Sequence, residues 1–362
     1  MKISQHLATT AIASVIIGNA LAIETVRSAG EVGQAGKFMA FYPGRGAFRA
    51  GGTDNWQWNN DWHVGDYSTG FGKNTTASGE GSFAQGSATN ASGWCSFAAG
   101  ANTQAVGTSS VAMGYTNIAK ANYSVALGAG SIASGGVSTA LGNNARANGY
   151  GSFAIGGEAV ADGNYSISAG KSNTATGIYS VAMGITSSTS EKAYAGVAMG
   201  ENSYSNGASA MAFGKQCNAS GGFSTATGLM CWALGDSTTA MGNSSKALGY
   251  ATVALGDSVT ANGGRSVAIG SSNQAIGDYS TALGACNIAR SGGSTTIGYW
   301  NKGLGSATTA WNATDPIFEI GNGNGETQRS NALTVLRNGD MQIQGTVTCA
   351  PGGNVPMFTG TN

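Results

Sequence analysis

Hydrophobic and polar positions alternate in short five-residue runs over most of the chain, and each run closes on glycine, as in "SVALG" at 124–128 and "SVAIG" at 266–270. Alternation with a period of two residues is typical of a β-strand, whereas an α-helix repeats every 3.6 residues. Glycine at nearly every seventh position would also break a coiled coil. The pattern therefore predicts an all-β protein built from very short strands.

The closing glycines keep a fourteen-residue register from residue 72 to 184, and again from 200 to 298 after a two-residue insertion at 188–193. A second glycine, such as Gly79, lies halfway through most units. A sustained internal repeat indicates a solenoid. We expect each unit to be one coil of a parallel β-solenoid, with two strands and two corners, and with a positive φ angle at each glycine. Seventeen coils at about 4.8 Å each would form a rod of roughly 80 Å.

Two rows of alanine recur at fixed positions, two residues before the closing glycine and five residues after it. A coil of fourteen residues encloses little space, so only small side chains fit inside it. We therefore place both rows in the interior. The rows include Ala84, Ala98, Ala112, Ala126, Ala140, Ala154 and Ala182, and Ala77, Ala91, Ala105, Ala119, Ala133, Ala147 and Ala161.

Bulky apolar residues flank the first alanine row and, by alternation, point out of the coil. Each such side chain contributes roughly 1.5–3 kcal/mol when it is buried, and long exposed apolar stripes mark interfaces. The opposite strand carries outward polar residues such as Asn90, Gln104 and Lys246. We expect an obligate homo-oligomer in which copies of the chain cover this stripe. The predicted interface residues are Val111, Met113, Val125, Leu127, Phe153, Ile155, Val181, Met183, Val253, Leu255, Val267 and Ile269.

The segments "SVALGAGSIASG", "SFAIGGEAVADG" and "SVAIGSSNQAIG" resemble the head repeat of trimeric autotransporter adhesins, the YadA-like head. The resemblance covers about residues 65–298. It implies a left-handed parallel β-roll and three chains packed side by side as a homotrimer. It also implies an adhesion or structural role through multivalent binding to a host, matrix, glycan or protein ligand.

Both flanks resemble segments next to such repeats in bacterial, algal and phage-like proteins. These flanks are "AFYPGRGAFRAGG" at 40–52 with "WNNDWHVGDYSTGFG" at 58–72, and "PIFEIGNGNGETQRSNALTVLRNGDMQIQG" at 316–345. The second resembles the stretch that precedes a self-cleaving tail-fibre chaperone. An alternative interpretation is therefore a phage-type tail-fibre-like receptor-binding protein. We expect a secreted fibre or surface component rather than a complete autotransporter.

The sequence divides into four parts. Residues 1–22 are typical of a secretory signal peptide, with Lys2, an apolar core at 7–18 and a small-residue cleavage site at 20–22. We expect an extracellular or cell-surface protein with no membrane span in the mature chain. Residues 23–66 form a predicted aromatic cap, 67–298 the coils, and 299–362 a C-terminal β-hairpin segment that closes the trimer. The hairpin signal is the turn at Asn338–Gly339.

The cap segment carries far more aromatic bulk than the coils do. A solenoid must cover the open edges of its first coil, so capping is one role for these residues. A carbohydrate-stacking surface at the tip is the other. The residues are Phe38, Phe41, Tyr42, Phe48, Trp56, Trp58 and Trp62.

The amino-acid composition limits the kinds of binding and catalytic site that the chain can form. Charged residues make up only 9% of the chain and the formal net charge is +0, so no basic surface for nucleic acid is expected. His63 is the single histidine after the signal peptide, and no metal-ligand spacing or pair of carboxylates is present. We predict no catalytic, cofactor or metal site and no enzymatic activity.

Two of the five cysteines, Cys217 and Cys231, occupy equivalent positions in consecutive coils. In register they would lie about 4.8 Å apart, within reach of a disulfide bond. The same slot holds Thr103, Ser131 or Ala145 in other coils, so cysteine is also explained as a small interior residue. Both interpretations stay open.

Overall fold

The computed structural model describes residues 26–28, 36–54, 58, 62–306 and 311–345. The predicted signal peptide at 1–22 lies outside these residues. The chain divides into two compact units, Met1–Ala159 and Val160–Asn362. Within the described residues all regular structure is β, apart from one short 3₁₀ turn at Glu326–Gln328.

The N-terminal unit is a stack of coils, each containing a five-residue long strand and a two-residue short strand. Long strands pair in parallel and in register with those of the next coil, as Val111–Tyr115 does with Val125–Ala129. Short strands do the same, as in Ile118–Ala119 with Ile132–Ala133. The long strands are Thr69–Lys73, Phe83–Ser87, Phe97–Ala101, Val111–Tyr115, Val125–Ala129, Thr139–Asn143 and Phe153–Gly157, and the short strands are Thr76–Ala77, Asn90–Ala91, Gln104–Ala105, Ile118–Ala119, Ile132–Ala133 and Arg146–Ala147.

The C-terminal unit repeats this construction. The two-residue insertion is absorbed in a turn after Ser188–Thr189, so Val181 still pairs with Val197. The long strands are Ile167–Lys171, Val181–Ile185, Val197–Glu201, Met211–Lys215, Thr225–Leu229, Thr239–Asn243, Val253–Asp257, Val267–Ser271, Thr281–Ala285 and Thr295–Tyr299, and the short strands are Val160–Ala161, Thr174–Ala175, Ser188–Thr189, Tyr204–Ser205, Asn218–Ala219, Trp232–Ala233, Lys246–Ala247, Thr260–Ala261, Gln274–Ala275 and Ile288–Ala289. The predicted all-β parallel solenoid of fourteen-residue coils is confirmed.

The interior of both units is lined by small side chains. Every alanine of the two predicted rows is 0% exposed. Most of these alanines stack on the alanine of the next coil, as Ala112 does on Ala126, whereas Ser168 takes the place of alanine beside Ala182. Val259 is the largest apolar side chain buried in the coils of the C-terminal unit, and the bulky apolar side chains of the long strands point outwards.

The predicted role of the halfway glycines is wrong. The closing glycines do adopt positive φ, +116° at Gly128 for example, but halfway glycines such as Gly135 do not. A Cβ atom on Gly135 would instead overlap the carbonyl of Gly149 in the next coil. The left-handed corner lies two residues further on, where most coils carry a residue other than glycine, such as Tyr123 or Val137, both at φ 58°.

The N-terminal end is closed by a β-hairpin and a buried arginine. The strand Gly36–Tyr42 pairs antiparallel with the strand Ala47–Thr53. Ala47–Thr53 in turn pairs in parallel with the first long strand, Thr69–Lys73. Arg49 is 0% exposed and donates to the carbonyl oxygens of Ser68 at 3.1 Å and Ala77 at 2.8 Å. Burial lowers the pKa of the Arg49 guanidinium to about 10. Gly70 replaces alanine in the interior row here, because a Cβ atom there would lie 2.7 Å from Arg49 Cδ.

Four of the predicted cap aromatics divide into a buried and an exposed group, and Phe48 is half-buried with its ring centroid 5.7 Å from that of Phe71. Tyr42 and Trp58 are buried, and they are joined by hydrogen bonds: Tyr42 Oη donates to the Trp58 carbonyl and Trp58 Nε1 to the Thr75 carbonyl, each at 2.6 Å. Phe41 and Trp62 are exposed. Trp56 and the side chain of Phe38 lie outside the part of the chain that is described. A short strand, Val26–Ser28, adds in parallel to the hairpin.

The C-terminal end is closed by three more strands. Pro316–Asn322 pairs in parallel with Thr295–Tyr299, and Asn331–Leu336 and Met341–Ile343 follow as antiparallel partners. The predicted hairpin around Asn338–Gly339 is therefore present. Glu319 is fully buried in this cap, where its two carboxylate oxygens accept hydrogen bonds from Asn301 Nδ2 at 2.9 Å and Asn331 Nδ2 at 2.7 Å.

Candidate interaction surfaces

The first and third residues of the long strands point away from the coil and form what we term the apolar face. In the N-terminal unit the predicted interface residues all lie here. Met113 and Phe153 are 43% and 38% exposed, whereas Val111, Val125, Leu127 and Ile155 are half-buried by their neighbours in the stack. In-register pairing places Val111 beside Val125 and Met113 beside Leu127. The sequence-predicted residues are thus aligned in columns, of which the first is interrupted by Thr139 between Val125 and Phe153.

The apolar face of the C-terminal unit has the same composition. Val253 pairs with Val267 and Leu255 with Ile269. Met183 and Ile269 are 37% and 38% exposed, and the remaining predicted residues, Val181, Val253, Leu255 and Val267, are half-buried. Nothing in the described chain covers this face.

Sequence reasoning missed several members of the apolar face. Phe71, Phe83 and Phe97 form a ladder in the N-terminal unit, with ring centroids 5.8 Å and then 5.1 Å apart. The fourteen-residue register was sufficient to find them, since they occupy the same strand positions as the predicted residues. The other members missed are Leu141, Ile167, Val197, Met199, Met211, Phe213, Met241, Leu283 and Ile297.

The opposite, short-strand face is more mixed than predicted. Its outward positions include the polar residues Asn90, Gln104 and Lys246, but also Ile118 and Trp232. The backbone amides and carbonyls of the short strands pair with adjacent coils, as in Asn218 N–H to the Cys231 carbonyl at 2.8 Å. Side chains rather than open backbone edges therefore determine what this face can bind.

The slot three residues after the closing glycine has a hydrogen-bonding role. Ser131 Oγ donates to the closing glycine of the next coil, Gly142, at 3.0 Å. Cys217 Sγ and Cys231 Sγ make the equivalent contacts at 3.1 Å and 3.2 Å. Cysteine therefore substitutes for serine as a small donor in this slot.

Cys217 and Cys231 are buried free thiols. The interaction between the two neighbouring sulfurs lowers the pKa of Cys217 to about 7, and the same interaction, together with burial, raises the pKa of Cys231. The structure brings the two residues together, and the disulfide bond itself stays a prediction.

Aromatic residues recur at the left-handed corners that follow the halfway glycines, or directly beside them, as Tyr194 does before Ala195. Tyr165 and Tyr179 stack with centroids 5.3 Å apart, and Tyr179 meets Tyr194 edge-on at 5.6 Å. Tyr123 and Tyr279 occupy the same corner, and each is 60% exposed. These aromatic rings therefore form short stacks along the coils rather than one unbroken row.

Charges contribute little to either face. The ion pairs found in the described part of the chain are Arg45–Asp66, Lys73–Asp54 and Lys215–Glu201, all between solvent-exposed or half-exposed groups. Over the same residues no cluster of three metal-ligating side chains occurs. No helix among them is long and apolar enough to cross a membrane.

Stacked fourteen-residue coils, an alanine interior and an apolar face on the long strands define the protein as a repeat-type parallel β-solenoid. The YadA head domain repeat matches residues 64–89, 92–115, 105–131, 133–159, 161–187, 193–216, 233–258 and 261–285, which together cover more than half of the chain. The protein therefore belongs to the YadA head repeat family, and the resemblance seen in the sequence is confirmed. No curated protein matches the chain.

The family gives a coarse functional assignment. YadA heads belong to homotrimeric adhesins of the cell surface, and their repeats and solenoid fold are typical of structural adhesins rather than enzymes.

Proposed function

We propose that this protein is a non-enzymatic, secreted or cell-surface adhesion or structural protein. It acts as a homotrimer of parallel solenoids that presents repeated surfaces for multivalent binding. The observation that carries the proposal is the apolar face, which recurs in register in coil after coil of each unit.

A single chain cannot bury the side chains of its own apolar face. The coil interior is already filled by alanine. A side chain such as Met113, which is 43% exposed in the single chain, gains free energy only when another chain covers it. Two further copies, packed apolar face to apolar face, supply that cover, and the family to which the chain belongs is trimeric.

Trimerisation leaves the short-strand faces and corners outside. Three copies of each outward site would then be held on one particle, so that weak individual contacts add through effective concentration. Adhesion requires no catalytic group in this arrangement.

The proposal is tested by placing charge on the apolar face. In the double variant Val125→Asp and Val267→Asp, two buried carboxylates per chain would lack partners in the trimer, and we expect dissociation. The matched control is Gln104→Asp with Gln274→Asp, which adds the same charge in the same two units on the exposed short-strand face. Sedimentation velocity should show loss of the trimer for the first pair only. A trimeric apolar-face variant of wild-type stability would refute the interface.

A further inference from the structure

A groove of about 600 Å³ crosses the short-strand face of the C-terminal unit. It spans three consecutive coils and is formed by two adjacent columns of outward side chains. One column is Asn202, Gln216 and Met230, each two residues after a closing glycine, where the backbone has a second left-handed position. The other is Tyr204, Asn218 and Trp232, on the short strands.

The groove exists because a small residue stands between two large ones. In-register pairing puts Asn218 beside Tyr204 on one side and beside Trp232 on the other. The two aromatic side chains are therefore two coils apart, about 9.6 Å at the usual strand spacing. Tyr204 and Trp232 are 41% and 43% exposed, so each presents part of its ring to the groove as well as to solvent.

Three amide side chains and Met230 line the remainder of the groove. The Asn202 side-chain oxygen accepts a hydrogen bond from Thr186 at 2.5 Å, and the Asn218 oxygen accepts one from Ser220 at 2.7 Å. These contacts fix the two amides, and neither Nδ2 group donates to any residue in the described chain. The exposed Gln216 amide adds a further donor and acceptor.

The groove is electrically neutral. No carboxylate or cationic side chain lines it. The nearest charges are already engaged: Lys246 Nζ lies 5.1 Å from the centre of the Trp232 ring, on the side of the following coil, and Lys215 pairs with Glu201 at 3.1 Å. A charged ligand would find no partner for its charge here, whereas a neutral polar ligand avoids the much larger cost of desolvating a charge and can exchange hydrogen bonds with the amides.

We propose that this groove binds a neutral oligosaccharide. Sugar rings present C–H faces that pack on aromatic rings and hydroxyl edges that exchange hydrogen bonds with amides, and the groove offers both at once. Its position on the face opposite the apolar face keeps it accessible in a trimer. Its contribution to adhesion, though not its binding of the sugar, rests on the proposed trimeric function.

The test is saturation-transfer NMR on the full exported protein with four neutral disaccharides: lactose, cellobiose, mannobiose and N,N′-diacetylchitobiose. We expect at least one to bind, and Trp232→Ala or Tyr204→Ala each to weaken that binding at least about fivefold by removing one stacking surface. The matched control is Trp94→Ala, which removes another exposed tryptophan that lies in the N-terminal unit.

Gln216→Ala provides a second, milder variant, since this exposed side chain supplies hydrogen bonds but no packing. It should weaken binding without changing the melting temperature. Binding that survives unchanged in both aromatic variants, or the absence of binding by all four disaccharides, would overturn the proposal. Binding of a proline-rich peptide at Trp232 instead of sugar would overturn the ligand class.

The groove lies within a single chain, so its test is separable from that of the trimer. Sugar binding by a protein that sediments as a monomer would leave the groove in place and refute the proposed assembly. A trimer that binds none of the sugars would refute the groove as a sugar site and leave the proposed assembly in place.

Discussion

Glycine is required at the closing position of each coil for two separate reasons. At Gly128 the φ angle is +116°, a value that residues with a Cβ atom rarely adopt. A Cβ atom at Gly128 would also overlap the carbonyl oxygen of Gly142 in the next coil. Both constraints repeat in every coil, which explains why the closing row contains no other residue from 72 to 298.

Gly128→Ala should therefore be strongly destabilising. The backbone strain alone costs about 1–3 kcal/mol, and the clash with Gly142 adds to it. The matched control is Gly157→Ala in the same unit, where nothing lies within 4 Å of the added Cβ atom. Urea unfolding of the two variants measures the difference, and equal stabilities would contradict the stacking geometry.

At the residue scale, the sequence predicts which positions are interior but not which ones form the corners. Alternation was sufficient for Ala112 and Ala126, because inward positions in a thin coil must be small. It was misleading for Gly135, where glycine allows close stacking rather than a positive φ. The true corners hold residues such as Val137 and Tyr123, whose side chains give no sign of left-handed backbone.

At the scale of the structural element, Cys217 and Cys231 occupy equivalent positions in two neighbouring coils. We propose that these thiols form a disulfide bond when the protein folds in an oxidising medium. Refolding with oxidised glutathione should convert the pair to a disulfide, as two protein thiols lose their protons and two electrons and glutathione disulfide is reduced to two thiols.

Alkylation of the unfolded product followed by mass measurement detects this bond. We expect neither cysteine to be alkylated after oxidative refolding, and both to be alkylated after refolding with a reductant. Cys217→Ser keeps the donor that this slot uses elsewhere, at Ser131 for example, and should leave Cys231 reactive. Full alkylation of both residues after oxidation would contradict the disulfide.

The C-terminal cap carries a buried carboxylate. Burial raises the pKa of Glu319 above its usual 4.5, opposed in part by the hydrogen bonds from Asn331 and Asn301. The folded chain therefore holds the Glu319 proton more tightly than the unfolded chain does. Its contribution to the free energy of unfolding is fully present below the unfolded pKa and is lost as pH rises through the folded pKa.

Glu319→Gln removes this titration. The melting temperature of the wild-type protein should fall relative to that of Glu319→Gln as pH rises from about 4 to about 8. Glu80→Gln, at an exposed position, serves as the control for the loss of one acidic side chain. A wild-type protein that gains stability relative to Glu319→Gln over this range would show that the buried carboxylate is favoured in its charged form.

The two caps were only partly predictable, because neither belongs to the repeat. The C-terminal hairpin was visible from Asn338–Gly339, a local turn signal. The arginine within the first coil was not, since an isolated arginine ordinarily indicates surface. The substitution of Gly70 for alanine was the available sign that something larger than a methyl group fills that coil.

At the scale of the whole molecule, the apolar face and the groove on the short-strand face arise from different features of the sequence. The apolar face follows from the fourteen-residue period and was predicted from it, although the list of residues was incomplete. The groove depends on the order Tyr204, Asn218 and Trp232 in a single column of the short-strand face. Sequence reasoning treated that face as uniformly polar, and aligning its outward residues coil by coil would have revealed the gap between the two aromatic side chains.

The central claim is that the apolar face of this chain is covered by two further copies of it. Sedimentation equilibrium of the purified protein tests this directly, since it reports mass independently of shape. The account predicts a single species with three times the mass of one chain at all concentrations at which the protein is folded. A folded protein that sediments with the mass of one chain would contradict it.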